Sequence, residues 1–175
     1  MASVRLGNRS GVSNWVLTGA IMGLLAGVVF MVFEMVVAGI MDSNPFAPPR
    51  MISAIALGQE ALPMMPMIGL GIALPVAMLI HFVLSAIYGG VFGAIAANVQ
   101  ILQNRLALIG AATIFGVLLW IVNFYIIAPV AFPWFLMANQ VVQFVAHTFF
   151  FGSAVGLLLA WARQERREQR TGVLR

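Results

Sequence analysis

Four stretches of this chain, roughly 14–41, 73–97, 106–127 and 139–163, are apolar almost from end to end. A helix needs about 20 such residues to cross the hydrocarbon of a bilayer, and each stretch is long enough. No water is present there to bond the backbone, so a segment of this kind satisfies its own N–H and C=O groups as a helix. The rest of the chain agrees: 62% of residues are hydrophobic, 8% are charged, and the mean hydropathy is +1.03. A water-facing domain carries about 25% charged residues. An ordinary soluble enzyme, a disordered tail and a nucleic-acid-binding domain are therefore excluded. The fold class expected is all-α integral membrane, a single four-helix bundle over 1–175.

The net charge of +4 comes from nine basic residues, all of them Arg. Arg5 and Arg9 precede the first stretch, Arg105 lies between the second and third, and Arg163, Arg166, Arg167, Arg170 and Arg175 follow the fourth. An even number of spans places all of these on one side and only Arg50 on the other. The positive-inside rule makes that side cytoplasmic, with both termini in it. Trp15 and Trp161 then anchor the inner interface and Trp134 the outer one. The basic tail 164–175 is expected to extend the fourth helix into the cytoplasm, facing solvent or anionic lipid. Residues 14–41 are too long an apolar run for a cleavable signal, and no small-residue cleavage site precedes Glu34.

Of the two outer connections, 42–72 begins Asp42-Ser-Asn-Pro-Phe-Ala-Pro-Pro-Arg50, which is turn chemistry. Within it Met51 to Leu57 reads as a short helix lying in the interface. Pro129 to Met137 forms the second connection. Pro75 is expected in the first turn of the second span, or at a kink.

An internal repeat relates the two halves. Gly27-Val-Val-Phe-Met-Val-Phe-Glu34 lies over Gly116-Val-Leu-Leu-Trp-Ile-Val-Asn123, His81 over His147, Gly90 over Gly156 and Ala94 over Ala160. The bundle is thus expected to be two tandem helical hairpins, parallel repeats about a pseudo-twofold along the membrane normal. Gly19, Gly23 and Gly27 share one helix face, as do Gly152 and Gly156, and such stripes are read as packing surfaces.

Few polar residues remain inside the spans, and they fall at similar depth. At 1.5 Å per residue, Glu34, His81 and His147 lie about 9–12 Å and Asn123 about 6–9 Å below the outer ends of their helices. Ser85 and Tyr88 share the His81 stripe, and Gln140 and Gln143 share that of His147. Buried ionisable groups in a membrane turn toward the bundle interior, so a polar layer of Glu34, His81, Asn123 and His147 is expected in the outer half.

Three uses for that layer are open. In the first, Glu34 bonds to His81 or His147, Asn123 closes the network, and the protein is a non-enzymatic accessory subunit. It would then associate with other membrane subunits or with itself through its glycine faces, binding no nucleic acid and no cofactor. In the second, His81 and His147 are axial ligands of a b-type haem, with glycines making room for the macrocycle, or Glu34, His81 and His147 hold a metal ion. The third is transport or proton relay, for which the inner half offers few polar groups beyond Thr18 and Thr113. The chain has no Cys, no catalytic Ser–His–Asp set and no phosphate-binding loop.

At His81-Phe-Val-Leu-Ser-Ala-Ile-Tyr-Gly-Gly and His147-Thr-Phe-Phe-Phe-Gly-Ser-Ala-Val-Gly the chain resembles small four-helix bacterial inner-membrane proteins of uncharacterised families. The resemblance runs from Gly19 to Ala160. It implies four spans in a bacterial inner membrane and brings no activity with it.

Overall fold

The computed structural model describes residues 2–64 and 66–172, with the side chains of 2–11, 166, 167 and 169–171 left aside. Arg175 lies outside the described residues. The regular structure is entirely helical: α1 (Ala2–Met41), α2 (Ala47–Leu57), α3 (Leu70–Asn98), α4 (Arg105–Ile121), α5 (Ala128–Ala131), α6 (Gln140–Val145) and α7 (Ala154–Thr171). Short 3-10 turns fill 59–61, 100–103 and 133–137.

Four helical segments are long and apolar enough to cross a membrane: Val12–Met41, Leu70–Asn98, Arg105–Ala131 and Gln140–Glu165. Only 22–39% of the residues in their most apolar windows are buried inside the molecule. Most of the remainder, such as Leu17, Val32, Leu79, Ile114 and Val141, presents apolar side chains outward. Water would not tolerate that surface, and lipid would.

The last two spans are not α-helical throughout. Val122–Ile127 joins α4 to α5 as a π-helical turn, and Ala146–Ser153 joins α6 to α7 in the same way. Flanking residues stay in right-handed helical geometry, so the axis continues while each π turn takes up an extra residue. Helix starts are chemically marked. Asn104 Oδ1 accepts from the amides of Leu106 and Ala107 at 2.9 and 3.2 Å, and Asn139 Oδ1 from those of Val141 and Val142 at 3.0 and 3.2 Å. α3 begins at Leu70, where the amides of Ile72 and Ala73 bond back to the Gly69 carbonyl. Pro75 therefore lies inside the helix rather than in its first turn.

Glycines set the packing. A Cβ on Gly19 or Gly23 of α1 would overlap the backbone carbonyl of Gly89 or Ser85 in α3, and one on Gly93 that of Trp15. Gly116 stands equally close to the His147 carbonyl, and a Cβ on Gly152 would lie 2.6 Å from the Ala112 carbonyl. A Cβ on Gly156 would lie 2.8 Å from that of Ala112. α1 thus packs along α3, and α4 along the fourth span. Gly90, aligned with Gly156 in the sequence, meets only Val16 and Ala20 at 3.6–3.8 Å. The glycine that packs as Gly156 does is Gly89, one position earlier. The reason is the second π turn: His81 to Gly89 is a step of eight residues, and His147 to Gly156 a step of nine.

The glycine faces are consequently filled within the chain. They are not open to a partner, which corrects the expectation of association through them.

The two ends of the bundle are tied differently. At one end Arg163 donates to the carbonyls of Leu102 and Gln103 at 3.2 and 3.0 Å and to Gln103 Oε1 at 2.6 Å, with its guanidinium 5.3 Å from the Trp15 ring centroid. At the other, α2 folds back over the bundle. Arg50 on α2 is buried and donates to the Ala61 and Ile68 carbonyls at 3.3 and 2.9 Å. Trp134 Nε1 donates to the Met51 carbonyl at 3.0 Å, joining the two connections.

Candidate functional site

Beneath α2 lies a cavity of about 1010 Å³. Every span contributes a polar group to its lining: Glu34 from the first, His81, Ser85 and Tyr88 from the second, Asn123 from the third, Gln143 and His147 from the fourth. Glu34, His81 and His147 are each less than a tenth exposed. Asn123 lies in the first π turn and His147 in the second. π turns recur where a helix must redirect particular side chains.

The hydrogen bonds differ from those expected of a Glu–His pair. Glu34 Oε2 accepts from Gln143 Nε2 at 2.8 Å, and neither histidine bonds to it. His81 Nε2 instead donates to the Gly27 carbonyl at 2.8 Å, which Gly27 leaves reachable by having no side chain of its own. His147 Nδ1 donates to the carbonyl of Gln143, one turn back on its own helix, at 2.8 Å. Asn123 does not close the network either: its Oδ1 accepts from the Tyr88 hydroxyl at 3.1 Å. Backbone carbonyls captured both imidazoles because they accept a second hydrogen bond readily and lie at fixed, short range.

These bonds fix what is left over. A carbonyl can only accept, so His81 carries its proton on Nε2 and His147 on Nδ1. In a neutral ring the other nitrogen then offers a lone pair. Glu34 Oε1 is buried with no hydrogen-bond partner. The lining therefore holds one buried acceptor without a partner, Glu34 Oε1, beside the lone pairs of His81 Nδ1 and His147 Nε2.

The candidate ligand sets for haem and metal fare poorly by geometry. Because His81 Nε2 is committed to the Gly27 carbonyl and His147 Nδ1 to that of Gln143, the two rings keep their lone pairs on different nitrogens, Nδ1 and Nε2. The Phe30 ring also contacts both imidazoles, with centroids 5.5 Å from His81 and 4.9 Å from His147. The glycines expected to make room for a macrocycle are occupied by opposing helices. Glu34, His81 and His147 do not form a metal-binding group: no three His, Cys, Asp or Glu side chains are so placed among the described residues.

On the Arg163 side of the cavity the core is close-packed, with Phe92, Leu108, Val155 and Leu159 almost wholly buried. Thr18 donates to the Asn14 carbonyl at 2.7 Å, and Thr113 donates to the Ile109 carbonyl at 3.0 Å and accepts from Ser153 Oγ of the fourth span at 2.9 Å.

The apolar walls carry no distinct signal in the sequence. Phe30, Phe124 and Phe135 line the cavity together with Met31, Met51 and Met137. Their spacing along the helices matches that of ordinary core residues, and only the folded loops reveal which of them face a void. The buried role of Arg50 has no mark beyond its proline-rich surroundings.

No family model, curated protein or solved structure matches the chain.

Proposed function

We propose that this is a four-span integral membrane protein, with the Arg163 end cytoplasmic, whose role is to hold a small amphipathic molecule without transforming it. The observation that carries the reading is the cavity beneath α2, to which each span brings a polar group. Pockets of roughly 300–1,000 Å³ with apolar walls and a few convergent polar groups are characteristic ligand sites. Packing that closes the Arg163 side favours reception from one face over conduction through the bundle.

The orientation rests on the arginines. Arg105 and Arg163 lie at the end opposite Arg50, as the positive-inside rule requires of a cytoplasmic face. The cavity then belongs to the outer half of the bilayer. A bacterial inner membrane is the setting that the resemblance to small four-helix proteins indicates. Two tandem hairpins are supported by the matching glycine contacts, Gly23 with Gly89 and Ala112 with Gly156. Any partner subunit would meet the outward apolar faces, since the glycine stripes are used internally.

The test is a thermal-shift screen of the detergent-solubilised protein with lipophilic amines, alcohols and carboxylic acids. Some of these should raise the melting temperature of the wild type and lose that effect in Ala138→Trp, which fills the cavity wall. A screen in which nothing binds, or in which Ala138→Trp responds as the wild type does, overturns the reading.

A further inference from the structure

The lining of the cavity specifies more than an amphipathic guest. Its one buried polar atom without a partner is an acceptor, Glu34 Oε1, and His81 and His147 each direct a ring N–H to a backbone carbonyl. Such a set is complemented by a ligand rich in N–H or O–H donors. Charge narrows the choice. Glu34 and Asp42 line the cavity, and no Arg does. Arg50, on the helix that covers the cavity, directs its guanidinium into the carbonyls of Ala61 and Ile68. A carboxylic acid or a phosphate would find no cation to receive it, and its oxygens would face Glu34.

The walls add a second, independent preference. Phe30, Tyr88, Phe124, Phe132, Phe135 and Phe151 all border the void. Aromatic faces attract a desolvated cation through their quadrupole, and a buried carboxylate forms its strongest hydrogen bonds with a charged N–H donor. A neutral alcohol would satisfy one acceptor and gain nothing from the ring faces.

Building on the cavity reading above, we infer that the ligand is a protonated amine carried on an apolar, phosphate-free body, its nitrogen against Glu34 and its body among the aromatic and methionine side chains. The ammonium replaces the missing donor at Glu34 Oε1 while Gln143 continues to donate to Oε2. Phosphatidylethanolamine offers the same ammonium, but its phosphate lacks a basic partner here.

The experiment compares 1-naphthylmethylamine with its isostere 1-naphthylmethanol, following binding by naphthalene fluorescence in nanodiscs. Wild-type protein should bind the amine at least about tenfold more tightly than the alcohol, the scale of a charge-assisted hydrogen bond. Glu34→Gln should lower amine affinity by a similar factor and leave alcohol affinity within about threefold. The wild-type amine-to-alcohol ratio needs no variant, so it decides the matter even if Glu34→Gln fails to fold. Equal binding of both probes overturns the cation assignment while leaving the cavity reading intact. Binding of neither, in a protein that the wider screen also leaves unshifted, removes both. Displacement of the amine by phosphatidylethanolamine added to phosphatidylglycerol discs would overturn the phosphate-free body.

Discussion

The two helix pairs of this bundle are built to different tolerances. α1 and α3 are uninterrupted α-helices in backbone contact through Gly19, Gly23, Gly89 and Gly93. In the second pair both helices carry a π turn, and these turns hold Asn123 and His147. The first pair is a close-fitting wall with one residue at each position that the packing permits. The second has a residue to spare in each helix, and spends it on turning polar side chains toward the cavity. Rigid packing and side-chain placement have been divided between the two helix pairs.

The sharpest way to break the comparison is in the first pair. Gly23→Leu or Gly89→Leu forces a side chain into opposing backbone, and neither helix has slack to absorb it. The expected outcome is loss of the folded species, read as the disappearance of a monodisperse peak in size-exclusion chromatography.

Next in size comes deletion of Phe149, a half-exposed residue in the π turn of the fourth span. Shortening the π turn to α geometry should remove the extra residue and preserve both the Gly116–Gly152 contact and the facing of 140–147. The protein should still elute as a single folded peak that retains ligand binding. Deletion of the half-exposed Val83 from α3, where there is no spare residue, should abolish folding instead. Equal tolerance at both sites would erase the distinction.

A smaller effect is expected for Gln143→Leu, which strips Glu34 of its one hydrogen bond. Leaving a buried acceptor unsatisfied costs about 1–3 kcal/mol, measurable as a lowered midpoint in thermal or denaturant unfolding. Smallest of all is Gly110→Ala. A methyl group on Gly110 would meet nothing within 4 Å, so the substitution should be neutral or stabilise by about 0.5–1 kcal/mol, as glycine replacement in an open helix does. A large loss there would mean that the exposed face of α4 is covered by something else.

Much of the fold is legible in the sequence because its determinants are local. Apolar run length locates all four spans to within a few residues, and the glycine stripes mark faces that do pack closely. Glu34, Ser85, Tyr88, Asn123, Gln143 and both histidines stand out in the sequence as polar residues within apolar runs, and they border one cavity. Their hydrogen bonds are not legible. His81 finds the Gly27 carbonyl on another helix and His147 the Gln143 carbonyl on its own, and backbone acceptors leave no trace in side-chain identity. The second π turn is hidden by the Gly89-Gly90 pair. Either glycine can be set against Gly156, and matching Gly90 conceals the one-residue offset that Gly89 exposes.

Arg50 has a consequence for rates. With its guanidinium clasped by two carbonyls beneath α2, the charged side chains left exposed at that end are Asp42 and Glu60. A fringe of one sign beside a low-dielectric opening focuses its field outward and raises the encounter rate of oppositely charged solutes. The association rate of a cationic guest should therefore fall as salt screens that fringe, while its dissociation rate, set inside the bundle, stays nearly constant. By folding Arg50 inward, the α2 end of the molecule acquires a capture radius.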